Sequence, residues 1–240
     1  MSEVGHAKNV ANFETLINII IALGLRYQPS NPAIFLTALQ VLLNDAKAKI
    51  TAVSAADAEE TNAAKTRNAA FEGHLKLATR VINAYNASSS DELVSSNLAG
   101  FMRRLRGERK GEKPVDDPAT PGNESSAAHS VSHLSYDNLA ATWRELIELL
   151  KTQAGYKPNE EDLKIANLET YVADLEAKQT TAKNATIASQ NARTDRNAVL
   201  YDEETGIIPI VKKIKKYVKS IPDSEAVMKQ ITALKFREVK

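Results

Sequence analysis

Apolar residues recur at intervals of three and four along most of the chain. Val10, Phe13, Ile17 and Ile20 keep that rhythm, and so do Leu139, Trp143, Leu146 and Leu150. Positions so spaced share one helix face, which predicts amphipathic helices over about 9–25 and 137–153. Asp137 or Ser135 is placed to cap the second of these. A further stripe of Leu36, Leu39, Leu43, Ala46, Ile50 and Val53 predicts a helix entered through Ser30-Asn31-Pro32, a capping residue followed by proline in the first turn. An alanine-rich reversal should follow. Phe71, Leu75, Ala78, Ile82 and Tyr85 then predict a long third helix over about 57–87, and Val94, Leu98, Phe101 and Leu105 a fourth over 91–106.

The pattern is written twice. Tyr27-Gln28-Pro29 returns as Tyr156-Lys157-Pro158 and Arg67-Asn68-Ala69 as Arg196-Asn197-Ala198, each 129 residues later. Shifted by that amount, the second stripe becomes Ile165, Leu168, Val172, Leu175, Gln179 and Ala182. The copies diverge at Tyr201–Gly206, which reads as a break, with Thr205 able to cap a fresh helix near Ile207 and Pro209 in its first turn. Ile207, Ile210, Ile214, Tyr217 and Ile221 carry the apolar face onward. Val227, Ile231 and Leu234 close the second copy, at an offset three or four residues larger.

Gly107 to Leu134 has no helical period and is rich in Gly, Pro, Ser and charge, so it reads as a flexible linker. The expectation is an all-α chain of tandem duplicated up-down four-helix bundles, 1–106 and 135–240, joined by residues 107–134. The alternative is one continuous assembly in which the copies share a core.

Composition narrows the function classes. The chain has no cysteine, which excludes disulfides and thiolate zinc sites, and a net charge of +1, which gives no global pull toward polyanions. The start, Met1 to His6, lacks the marks of a signal peptide. The most apolar run, Leu16 to Leu25, contains Asn18 and is about half the roughly 20 residues a membrane span needs. A soluble, cytoplasmic protein is the expectation. No phosphate loop, nucleophile elbow or metalloprotease motif occurs, so neither an enzyme nor a cofactor is expected.

Three groups of polar residues carry candidate chemistry. Asn68 and Asn197 fall three residues before apolar-stripe positions, which predicts a core asparagine in each copy. With Arg67 and Asn62, and with Arg196 and Asn191, they form a candidate polar core or pocket. Lys212, Lys213, Lys215, Lys216 and Lys219 alternate with apolar residues on one amphipathic helix, a candidate surface for nucleic acid or an anionic membrane. Arg103, Arg104, Arg106, Arg109, Lys110 and Lys113 form a second basic cluster. His129 and His133 are spaced for one helix face, but no third ligand stands near them.

Arg196-Asn197, Leu200-Tyr201, Gly206, Lys216-Tyr217-Val218-Lys219 and Ala233-Leu234-Lys235-Phe236 give the last third of the chain a further character. In these motifs it resembles a set of uncharacterised bacterial helical proteins, many built as duplicated bundles. The resemblance implies a fold and no chemistry. The function expected is that of a non-enzymatic scaffold or protein-interaction protein docking near the Tyr-x-Pro turns. The alternatives are an anionic partner on residues 211–219 and a small ligand held between the bundles.

Overall fold

The computed structural model describes residues 3–88, 91–108 and 134–238. Among them every regular element is a helix: α1 (Glu3–Ile21), α2 (Leu36–Phe71), α3 (His74–Ser88), α4 (Glu92–Arg106), α5 (Tyr136–Lys151), α6 (Ile165–Tyr201), α7 (Ile207–Lys219) and α8 (Glu225–Ala233). Short 3-10 turns at Gly24–Arg26, Pro32–Ile34 and Glu161–Leu163 lead into the long helices. The expected stripes are buried: Val10, Phe13, Ile17 and Ile20 in α1, and Leu139, Trp143, Leu146 and Leu150 in α5. Ser135, not Asp137, caps α5 by accepting from the Asn138 amide. The linker expected at 107–134, with His129, His133, Arg109, Lys110 and Lys113, lies outside the described residues apart from Gly107, Glu108 and Leu134.

One departure reorganises the rest. The alanine-rich stretch after Val53 does not reverse the chain, and α2 runs unbroken for 36 residues to Phe71. Alanine is the best helix former, so a run of alanines without Gly or Pro extends a helix. The break falls instead at Glu72-Gly73, where Gly73 takes φ +81°, a conformation open to glycine. Copy two repeats the feature, with α6 unbroken for 37 residues. The third helices begin only after these breaks, at His74 and Ile207.

Without the reversals, a copy does not close on itself. The chain divides into two compact units, 1–61 with 184–240, and 62–183. This replaces the tandem division at 106 and 135. In unit one, α1 and the first part of α2 from copy one pack against the end of α6, α7 and α8 from copy two. Phe13, Leu16, Ile20, Leu39 and Leu43 share a core with Leu200, Ile207, Ile210, Ile214, Val218 and Ile231. Unit two is the complement, in which Phe71, Val81, Tyr85, Leu98 and Leu105 of copy one surround Trp143, Leu146, Leu150, Leu168 and Leu175 of copy two. The two copies therefore exchange their halves.

Both Tyr-x-Pro turns are fastened the same way. The Tyr27 hydroxyl donates to the Ile34 carbonyl and that of Tyr156 to the Leu163 carbonyl, each at 2.8 Å. Burial raises both phenols, that of Tyr156 to about 12 with Glu160 and Asp162 adding to the effect. These hydroxyls stay protonated and remain donors.

Candidate functional site

The site is built from the elements that diverge between the copies, all in unit one. Helix α7 opens on a turn organised by Asp202, whose Oδ1 accepts from the Glu204 amide (3.1 Å), the Thr205 amide (2.9 Å) and the Thr205 hydroxyl (2.7 Å). Thr205 is thus consumed inside the turn, and Gly206 takes the position before the helix without a side-chain cap. A Cβ on Gly206 would lie 2.7 Å from the Asp202 backbone N and O, so glycine is required there for space. Ile207, Ile210, Val211, Ile214 and Val218 are buried, which turns the lysines of α7 away from the core.

The lysines do not stand alike. Lys213 Nζ donates to the Glu204 carbonyl at 3.0 Å and helps hold the turn. Lys212, Lys216 and Lys219 are exposed. Lys215 is half-buried, 5.7 Å from the Phe236 ring centroid, and burial followed by the charge of Lys235 holds its ammonium below the usual lysine range. Lys235 thus joins the α7 lysines in one field.

The segment carrying Lys235 and Phe236 is fastened to α1. Asn12 Nδ2 donates to the Lys235 carbonyl at 2.7 Å and Asn9 Nδ2 to the Arg237 carbonyl at 2.6 Å, while the Arg237 amide donates to Asn9 Oδ1 at 3.1 Å. Asn9 Nδ2 also lies 3.2 Å from the Tyr201 hydroxyl, which hydrogen-bonds His6 Nδ1 at 2.8 Å. His6, Asn9 and Asn12 are all buried, three residues apart on one face of α1. Sequence reasoning missed this ladder, although its spacing was available. It also explains Tyr201 and the Ala233–Phe236 motif as parts of one structural clasp.

Register shows how far the lysine face extends. From the third helices on, the copies match at a shift of 133, pairing Val81 with Ile214, Val94 with Val227 and Leu98 with Ile231. In unit two Thr79, Ile82, Asn83, Ser96 and Met102 line one groove between α3 and α4. Their counterparts are Lys212, Lys215, Lys216, Lys229 and Lys235. Lys212, Lys215, Lys216 and Lys229 therefore fall on the same face of the α7–α8 pair, and Lys235, just beyond the end of α8, adds its charge beside Lys215. Among the described residues no ion pair involves any of these five, nor Lys213 or Lys219.

The expected asparagine core is not formed. Asn68 and Asn197 are exposed, and Arg196 holds the buried position at 3% exposure, one residue earlier on the helix. Stepping back by three from an apolar position moves about 60° around a helix at 3.6 residues per turn, so the stripe passes nearer the arginine. Arg196 donates to Asn197 Oδ1 from Nη2 at 2.9 Å and from Nε at 3.2 Å. Arg67 donates to Asn68 Oδ1 from Nη2 at 3.3 Å and lies 4.1 Å from the Tyr136 ring centroid, while the Tyr136 hydroxyl donates to Asn68 Oδ1 at 2.7 Å. Asn62 and Asn191 are exposed further back on the same helices. In the second basic cluster, Arg104 pairs with Glu145 at 2.7 Å and Arg106 approaches Glu108 at 3.8 Å.

Around the Tyr27 turn, Leu25 is 89% exposed and Ile21 53%, and Phe35 and Leu36 are also exposed. Their copy-two counterparts are Ala154, Leu150, Lys164 and Ile165, of which Leu150 is buried. Among the described residues no group of three or more acidic or histidine side chains is placed to hold a metal ion, and no helix is long and apolar enough to cross a membrane. No protein family, curated protein or solved structure matches the chain.

Proposed function

We propose that the chain is a non-enzymatic interaction protein that engages an anionic macromolecule through the lysine face of α7 and α8. The observation that carries this reading is the set of lysines at 212, 215, 216, 229 and 235, none ion-paired among the described residues, in a chain whose net charge is only +1. Elsewhere the cations are commonly neutralised by carboxylates, as Lys47 is by Glu14 and Lys183 by Asp137. A face left without counter-charges produces a local positive potential that steers polyanions. Because the apolar side of α7 is buried in the core, the helix has no free apolar face to insert into a bilayer. Nucleic acid, met at its phosphates, is therefore the favoured partner over a membrane.

Titration of labelled duplex and single-stranded nucleic acid against salt tests this. If all five lysines each neutralise a phosphate on a duplex, log K falls with log salt at a slope of roughly −4.5. Charge reversal at Lys212, Lys216 and Lys229 should flatten the slope. Absence of binding at low salt rejects the reading, and binding confined to anionic liposomes transfers it to a membrane surface.

A second reading is a scaffold that docks a protein at the Tyr27-Gln28-Pro29 turn, favoured by the exposure of Leu25 and Ile21 in copy one alone. A photo-crosslinker at position 25 should capture that partner in cells, and failure to capture any protein counts against it.

A further inference from the structure

In unit two, α3 and α4 leave a groove of about 570 Å³ between them. Half-buried Ile82 and Met102, with exposed Ala99, give it apolar lining beside Thr79, Asn83 and Ser96, and Arg103 and Arg106 line it from the last turn of α4. This is the face that carries lysine in unit one, so the two units have specialised one surface in opposite ways. Where Lys215 stands on α7, α3 has Ile82.

We infer that this groove binds a small carboxylate with an apolar body. Among the described residues no ion pair involves Arg103, and Arg106 has only its 3.8 Å approach to Glu108. Arg103 and Arg106 line the groove with fork-shaped donors that match a carboxylate, and Ile82 and Met102 beside them take the hydrocarbon. The negative end of the α4 dipole, worth about half a charge, opposes an anion there, but two full positive charges outweigh it. The volume lies within the range of small-molecule sites.

Titration of the full chain with hexanoate, octanoate and decanoate, followed by amide chemical shifts, tests the inference. Saturable binding that tightens with chain length and moves amides of α3 and α4 is expected. Octanol should bind at least about tenfold more weakly than octanoate, because it leaves the guanidinium groups without their anion. Replacing Arg103→Gln together with Arg106→Gln should remove that preference. Ala99→Leu should weaken acid and alcohol alike by crowding the groove. The two arginines are on the surface, so their variant decides the matter even if Ala99→Leu lowers stability. No saturation at millimolar ligand, equal binding of octanol and octanoate, or shifts confined to the lysine face of unit one would overturn the inference. Nucleic-acid binding is expected to be unchanged in the arginine variant, which separates this site from the proposed function.

Discussion

Asn9 and Asn12 illustrate how single buried amides act on a surface made elsewhere in the sequence. Each is nearly inaccessible, and each is satisfied by the backbone of residues 235–237, whose side chains include Lys235. Asn9→Ala strands an amide and a carbonyl at once. It should cost about 1–3 kcal/mol in urea unfolding, and hydrogen exchange at Arg237 should quicken. Asp57 gives the pH dependence of unit one. Burial pushes its carboxyl up, but the Ser189 hydroxyl at 2.7 Å and the Arg193 guanidinium at 2.9 Å, with the charge of Arg196, outweigh burial and hold it below the usual carboxylate range. A lowered folded value means that this contribution is complete above the unfolded pKa of about 4 and is lost as pH falls through the folded value. The side chain is 32% exposed, so the effect is modest, about 1 kcal/mol or less. Asp57→Asn should therefore lower stability at neutral pH and merge with the parent in acid, as chemical denaturation across pH would show.

At the scale of elements, the turn before α7 is the most constrained piece of the divergent region. Gly206→Ala places a methyl 2.7 Å from the Asp202 backbone, which cannot rotate away as a side chain would. The variant is expected to lose about 1–3 kcal/mol by thermal or urea unfolding. The nucleic-acid binding proposed for the lysine face should fall with it as α7 loses its fixed start. The two Tyr-x-Pro turns provide a matched control, since Tyr27→Phe and Tyr156→Phe remove equivalent bonds in different units. Each is expected to cost about 1 kcal/mol, and unequal losses would show that the repeated turns are not energetically equivalent. The stripes that predicted α1 and α5 were legible because strong apolar residues recur without interruption. The end of α2 was not, because its alanine-rich stretch has too weak an apolar stripe to mark continuity, although alanine favours helix and Gly73 was the better signal for the break.

For the whole molecule, exchange of halves predicts a behaviour that tandem bundles would not have. A protease site inserted between residues 109 and 133 divides the chain into its two copies, but each core still needs both fragments. Native mass spectrometry of the cleaved protein should therefore find one particle containing both pieces, separable only in denaturant. Independent migration of the fragments would instead indicate that each copy closes on itself. The all-helical fold, the apolar faces of α1 and α5 and the lysine run were legible in the sequence alone, because periodicity and charge are properties of neighbouring residues. Which half packs with which was decided only in three dimensions. Both pairings bury the same stripes, and they differ in whether the long helices bend, a matter of backbone continuity that hydrophobic pattern does not record. The clasp of His6, Asn9 and Asn12 on residues 201 and 235–237 follows from that pairing.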